Sequence, residues 1–266
     1  MRVPTVDGPE QEPATAPATV LTVTDVVRAP AKLTVSLRVL GRRPDGYHLL
    51  DAEMVTLDLA DELAFAPGDG LEVLDEVGVG LPVTADEDNL VRRALRLVGR
   101  TAHVTLRKRI PAGGGLGGGS ADAAAVLRWA GVDDVSVAAK LGADVPFCLI
   151  GGRAQVGGIG DEIRPLPPVD RTFTLFTPPL ACSTPAVYRA WDELGGPRHP
   201  DNDLEPAALA VCPDLAFWRD HLARSCGQMP SLAGSGSTWF VEGAFPGPGR
   251  VVARTDRPEG RSVERT

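Results

Sequence analysis

Ile110 to Ala124 reads IPAGGGLGGGSADAA, with six glycines in fifteen residues. Glycine has no Cβ, so a run of glycines lets backbone N–H groups close on an anion without steric conflict. The run follows an alternating stretch, AHVTLRKRI, which predicts a strand. It precedes SADAAAVLRWAG, whose alanines and closing glycine predict a helix. A helix start carries unsatisfied N–H groups and the positive end of the peptide dipoles. Pro111, Ala112, Gly113, Gly114, Gly115, Leu116, Gly117, Gly118, Gly119, Ser120 and Ala121 therefore form a candidate phosphate cradle. Ser120 and Asp122 fall where helix caps are found, and Ser120 is also placed to touch a phosphate or its Mg²⁺.

Three other readings of the glycines fit less well. Flexible linkers do not usually sit between a clean strand and an alanine-rich helix. Gly113, Gly115 and Gly118 satisfy GxGxxG, but a dinucleotide fold also needs a second strand with an acid at its end about 20 residues on. Asp133 and Asp134 fall near that distance directly after the helix, with no strand between. No Lys-Ser or Lys-Thr pair closes the run, which excludes a Walker-type loop.

The elements that must position this loop follow from periodicity. Alternation in TVLTVTDVVRAPAKLTVSLRVL predicts strand from about Val20, and LLDAEMVTLDLADELAFAP and GLEVLDEVG predict further strands. DEDNLVRRALRLVGR begins acidic and continues with helical apolar spacing. VSVAAKLG is a short helix. ADVPFCLIGGRAQVGGIGDEIRPL reads as a loop, a strand, a glycine turn and a second strand. RTFTLFTPP is a strand, TPAVYRAWDEL a helix, and DLEPAALAVCPDLAFWRDHLARS helical with a break at Pro213. SLAGSGSTWFVEG is a turn entering a strand, and RTDRPEGRSVERT a loose polar tail. Strands and helices do not alternate regularly, so the fold class is α+β. The turn at Gly157 to Gly160 marks a domain boundary. The expected domains are then 20–157 and 158–266, after a Pro-, Ala- and acid-rich extension over 1–19 expected to be disordered.

Composition narrows the partners. The 266 residues are 43% hydrophobic and 23% charged, enough for one or two cores, with aromatics at only 5%. Net charge is -8 with no basic run, which argues against a nucleic-acid or anionic-membrane surface. No apolar run is long enough to span a membrane, and the N-terminus lacks a signal-peptide pattern, so a cytoplasmic location is expected. Cys148, Cys182, Cys212 and Cys226 show no metal or redox spacing. Against 24 arginines there are three lysines: Lys32, Lys108 and Lys140. Lysine is a compact point charge that arginine's planar fork does not copy. The tyrosines are Tyr47 and Tyr188.

PAGGGLGGGSADAA resembles the phosphate motif of the GHMP kinases, the superfamily of galactokinase, homoserine kinase and mevalonate kinase. Three further stretches resemble one branch of it, whose members phosphorylate a cytidine-diphosphate derivative of methylerythritol. APAKLTVSLRVLGRRPDGYHLL looks like that branch's opening motif, LGADVPF like its aspartate motif, and SLAGSGST like the third motif near the phosphate loop. The resemblance runs from about Arg28 to Val241. It implies a two-domain fold with the active site in the interdomain cleft, and ATP with its accompanying Mg²⁺ as phosphate donor. The implied acceptor is the 2-hydroxyl of the methylerythritol unit.

Carried over residue by residue, the resemblance makes Asp144 the base that takes the hydroxyl proton and Lys32 the active-site lysine beside it. Tyr47 and His48 match the residues that hold the cytosine, with Tyr188 as a second aromatic. Lys108 and Asn89 match positions that border the adenine, although a strand-end charge and a helix cap account for them equally. Gly234, Ser235 and Gly236 shape the cleft or form an ordinary turn. One departure stands out: Thr34 replaces the asparagine usual two residues after the lysine, and a hydroxyl has shorter reach and one donor. Another small-molecule GHMP kinase of homoserine or mevalonate type, or a catalytically silent nucleotide-binding member, are the alternatives. PDGYHLL with Tyr188 disfavours the first, and retention of Lys32 and Asp144 disfavours the second.

Overall fold

The computed structural model describes residues 25–257 and the backbone of 264–265. The N-terminal extension, 1–19, and the strand start expected near Val20 lie outside the described residues.

Two long strands open the chain, β1 (Asp25–Arg42) and β2 (His48–Ala66), paired antiparallel. β2 then splits its other edge. Its C-terminal end pairs with β4 (His103–Lys108), which is parallel to β3 (Gly70–Asp75). Its N-terminal end pairs with β5 (Arg153–Gly157), which turns back as β6 (Glu162–Pro165). The short strand Glu264–Arg265 adds to the free edge of β1. One face of this sheet is covered by α1 (Leu90–Leu97), α2 (Gly118–Trp129), α3 (Val135–Ala139) and α4 (Val145–Ile150). The alanines of α2 explain its central place. Ala121, Ala123, Ala124 and Ala125 are buried, and their small side chains let α2 pack against β1, α1 and α4 together.

The second sheet runs β10 (Arg250–Arg254), β7 (Thr172–Phe176), β9 (Trp239–Glu242), β8 (Ser231–Leu232). It carries α5 (Thr184–Glu193), α6 (Glu205–Val211) and α7 (Leu215–Cys226). This is the α+β class expected, and its two sheets are consistent with the expected two domains. Among the described residues no helix is long and apolar enough to cross a membrane.

Four local readings change. Val145–Ile150 is a helix and not a loop, because Pro146 sits in its first turn, where the missing N–H costs nothing. The Gly157–Gly160 turn lies inside the β5–β6 hairpin of the first sheet, so the passage to the second sheet comes at 166–171. Arg250 to Arg254, which the sequence leaves unassigned up to the polar tail at Arg254, forms β10. Ser120 and Asp122 do not cap α2: its N-cap is Gly117, with no side-chain hydrogen bond.

Candidate active site

β1 shifts register between Pro30 and Lys32 and again between Thr34 and Ser36. Pro30 has no N–H to give the ladder, and such irregularities re-aim side chains. Lys32 and Thr34, two residues apart, point to the same side. Both are buried, at 5% and 2% exposure. Lys32 Nζ donates to Thr34 Oγ1 at 3.1 Å and lies 3.3 Å from Asp144 Oδ2. Asp144 stands at the N-cap of α4 and keeps its side chain 34% exposed. A lysine otherwise enclosed thus meets a carboxylate that faces the cleft.

The glycine loop is tied to this pair by backbone. Lys32 N donates to Leu116 O at 3.0 Å. A Cβ on Gly117 would meet Lys32 Cγ at 2.7 Å, and its φ of +70° disfavours side chains anyway. Gly115 passes equally close to the third motif, where a Cβ would collide with Ala233 O and meet Gly236 O at 2.9 Å. Thr238 N donates to Gly114 O at 3.1 Å. No side chain caps α2, so its first N–H groups have no side-chain acceptor.

Lys32, Thr34, Gly115, Gly117, Ser120, Asp144, Gly234 and Ser235 line a cavity of about 570 Å³. Tyr47, His48 and Tyr188 line it too, so strands β1 and β2, the glycine loop, α4 and α5 meet there. The His48 and Tyr188 rings stack with centroids 4.8 Å apart, and Trp191 meets His48 edge-on at 5.7 Å. Tyr47 stands at the rim, 60% exposed. Burial pushes the Tyr188 phenol up, and nearby Asp144 adds to the effect, so the ring is a neutral face. Cys148, directly behind Asp144, is pushed up to about 12, chiefly by burial; it is an inert thiol.

Two residues matched to the family's site do not line this cavity. Asn89 caps α1: its Oδ1 accepts from Val91 N at 2.9 Å and its Nδ2 donates to Thr84 O at 2.7 Å. Lys108 is 2% exposed and does not line the cavity. Its Nζ donates to Asp61 and, at 2.8 Å, to Asp122 Oδ2. Asp61 Oδ1 in turn accepts from Arg109 N at 2.5 Å and Ile110 N at 2.8 Å, where the chain enters the glycine loop. Asp122 Oδ1 has no hydrogen-bond partner. Burial, the largest cause, raises the Asp122 carboxyl to about 8; the Lys108 charge opposes this and Asp61 reinforces it. Facing both carboxylates, Lys108 itself is raised despite its burial.

Sequence reasoning missed Asp192 and Arg42, which also line the cavity. Asp192 Oδ1 pairs with His48 Nε2 at 2.8 Å, and its Oδ2 lies 3.4 Å from Arg42. Asp192 follows Tyr188 by four residues on α5, a helical spacing that puts both on one face. Among the described residues no cluster of three His, Cys, Asp or Glu side chains is placed to hold a metal ion.

Residues 89–152 match the family model described as the GHMP kinases N terminal domain. With the two-sheet fold and the uncapped glycine loop, this defines the class: an ATP-dependent small-molecule kinase of the GHMP type. The 4-diphosphocytidyl-2-C-methyl-D-erythritol kinase of Paracoccus denitrificans (strain Pd 1222) is 41% identical over 233 residues, 80% of this chain and 84% of the relative. That of Carboxydothermus hydrogenoformans (strain ATCC BAA-161 / DSM 6008 / Z-2901) is 34% identical over 257 residues, 81% and 87%. A crystal structure of 4-(cytidine 5'-diphospho)-2C-methyl-D-erythritol kinase superposes with a TM-score of 0.64 at 35% identity, covering 81% of this chain and 88% of that one. A homoserine kinase from Cytophaga hutchinsonii ATCC 33406, at 18% identity and TM-score 0.53, covers 85% and 88% and shares the fold. The chain belongs to the 4-diphosphocytidyl-2-C-methyl-D-erythritol kinase family.

Proposed function

We propose that this kinase transfers the γ-phosphate of ATP to the 2-hydroxyl of 4-(cytidine 5'-diphospho)-2-C-methyl-D-erythritol, a step of the non-mevalonate route to isoprenoid precursors. One observation carries the reading: the Lys32–Asp144 pair, 3.3 Å apart, shares a single cavity with the glycine loop and with Tyr47, His48 and Tyr188. Phosphate-donor, proton-acceptor and base-binding features are within reach of one ligand pair.

Phosphoryl transfer depends mainly on positioning and on neutralising charge. The N–H groups at the start of α2 and the backbone of the loop hold the phosphates of ATP. Asp144 takes the proton of the acceptor hydroxyl as its oxygen bonds to the γ-phosphorus and the bond to the β-phosphate oxygen breaks, releasing ADP. Lys32 holds the Asp144 carboxylate in place and lends positive charge beside the transferred group. Thr34 fixes the ammonium from the other side. A Mg²⁺ accompanying ATP would fit the cleft with phosphates and water supplying most of its ligands, and Ser120 and Asp144 would be among the wall oxygens able to complete its shell. When bound, it neutralises phosphate charge.

The cytosine packs against Tyr47 at the rim, with the Tyr188–His48 stack as its other wall. Asp192 holds the His48 imidazole in a fixed orientation. Lys108 and Asn89 are read as supports of the loop and of α1. The test is a panel of acceptors with ATP: the cytidylyl substrate, homoserine and mevalonate. ADP release with the cytidylyl compound alone is expected. Equal turnover of mevalonate, or of none of them, overturns the proposal.

A further inference from the structure

We infer that Asn202 is a positioning residue, whose carboxamide fixes the Gly234–Gly236 turn against Lys32 and the phosphate loop. Asn202 is 2% exposed, between the end of α5 and the start of α6. Its Nδ2 donates to Gly234 O at 2.6 Å and to Leu232 O at 2.9 Å. Its Oδ1 accepts from Leu204 N at 2.9 Å. The amide group is thus well satisfied: one donor goes to the turn and the other to the end of β8 that leads into it.

The backbone around Asn202 is held by the other sheet. Leu37 N donates to Asp201 O at 2.9 Å and Asp203 N donates to Leu37 O at 3.0 Å, a bridge to β1 five residues beyond Lys32. Asn202 therefore joins the strand that carries Lys32 to the turn that faces it. The turn is close to the reacting groups: a Cβ on Gly234 would lie 3.7 Å from Lys32 Nζ and 3.8 Å from Thr34 Oγ1. Gly234 has φ +59°, so its carbonyl direction depends on outside contacts such as this amide. A small rotation of the turn would move the wall against which the ammonium rests, and errors of about 1 Å at such a point can cost about a hundredfold in rate.

The inference rests on the proposed reaction, and two substitutions with a control test it. Asn202→Asp keeps size and the acceptor for Leu204 N but sets a carboxylate oxygen against two carbonyls. Asn202→Ser removes both long donors and leaves room for water. Asp203→Asn is the control: Asp203 is fully buried in the same segment and accepts from Val39 N and His199 N, with no bond to the turn. We expect kcat with the cytidylyl substrate to fall at least tenfold in Asn202→Asp, and less in Asn202→Ser. The dissociation constant for ATP should change less than threefold. Asp203→Asn should lower Tm while holding kcat within threefold. If kcat instead follows Tm across all three variants, or if neither Asn202 variant folds, Asn202 is purely structural and the inference fails. Wild-type protein that phosphorylates no acceptor would overturn the proposed reaction; wild-type turnover with unaltered kcat in both Asn202 variants overturns this inference alone.

Discussion

Lys32 and Lys108 are both buried, both within reach of an aspartate and both beside the glycine loop, yet their carboxylate partners differ in number and in exposure. Lys108 is clamped between Asp61 and Asp122, carboxylates with 0% and 4% side-chain exposure. Lys32 has one carboxylate, Asp144, whose side chain is 34% exposed to the cleft. A fully enclosed charge with enclosed partners serves the fold, because a ligand has no path to it. An enclosed ammonium whose partner faces a cavity can act on what enters. The difference lies in the exposure of the partner and not in that of the lysine.

Replacing each lysine by methionine separates the two roles most sharply. Lys32→Met should lower kcat by two to four orders of magnitude, the range typical of assisted proton transfer, with Tm little changed because Asp144 remains solvated. Lys108→Met should do the opposite. It strands the buried Asp61 carboxylate beside a protonated Asp122, so the urea midpoint should fall by the equivalent of about 3–5 kcal/mol. Equal loss of kcat and stability in both variants would abolish the distinction.

The base pocket comes next in size. Tyr188→Ala removes one stacking wall and should raise KM for the cytidylyl substrate by about 1–3 kcal/mol, roughly five- to hundredfold, leaving KM for ATP unchanged. Steady-state kinetics with each substrate varied in turn checks this, and an unchanged acceptor KM would remove Tyr188 from the pocket.

A pH titration sharpens the account of the Lys108 cluster. Asp122 holds its proton in the native state up to about 8, whereas an unfolded aspartate loses it near its ordinary value of 3.8. Between those values the native state binds more protons, so this group's contribution to stability falls as pH rises. Asn at position 122 has no such titration. The difference in urea midpoint, Asp122→Asn minus wild type, should therefore grow from pH 5 to pH 8; a constant difference would contradict the assignment. The smallest effect expected is that of Asn89→Ala, which loses the α1 cap at about 0.5–2 kcal/mol of stability with kcat preserved.

Much of the site was legible because its chemistry is written in short local patterns. The glycine run, Lys32 in an apolar strand, and Asp144 before Val-Pro-Phe each stand out within a few residues. The contacts that discriminate Lys32 from Lys108 are not local. Asp61 lies 47 residues from Lys108; alternation puts it in phase with Leu57, Leu63 and Phe65 on the buried face, but nothing local names the cation it meets there. Asn202 reaches the turn across 32 residues, and no period in the sequence marks it. The helix at Val145–Ile150 was hidden for another reason: six residues are too few to show a period, and Pro146 reads as a breaker unless its place in the first turn is known. The hairpin around Gly157–Gly160 shows that a glycine-rich turn marks a reversal of the chain, whether or not a domain ends there.

The central claim is that Asp144 performs the proton transfer while the loop independently holds ATP. It is tested most directly by single-turnover phosphoryl transfer from ATP to the cytidylyl substrate in Asp144→Asn, with ATP affinity measured on the same preparation. The expected result is a rate lowered at least a hundredfold with ATP affinity within threefold of wild type. A near-normal rate, or a loss of ATP affinity that accounts for the slower turnover, would contradict it.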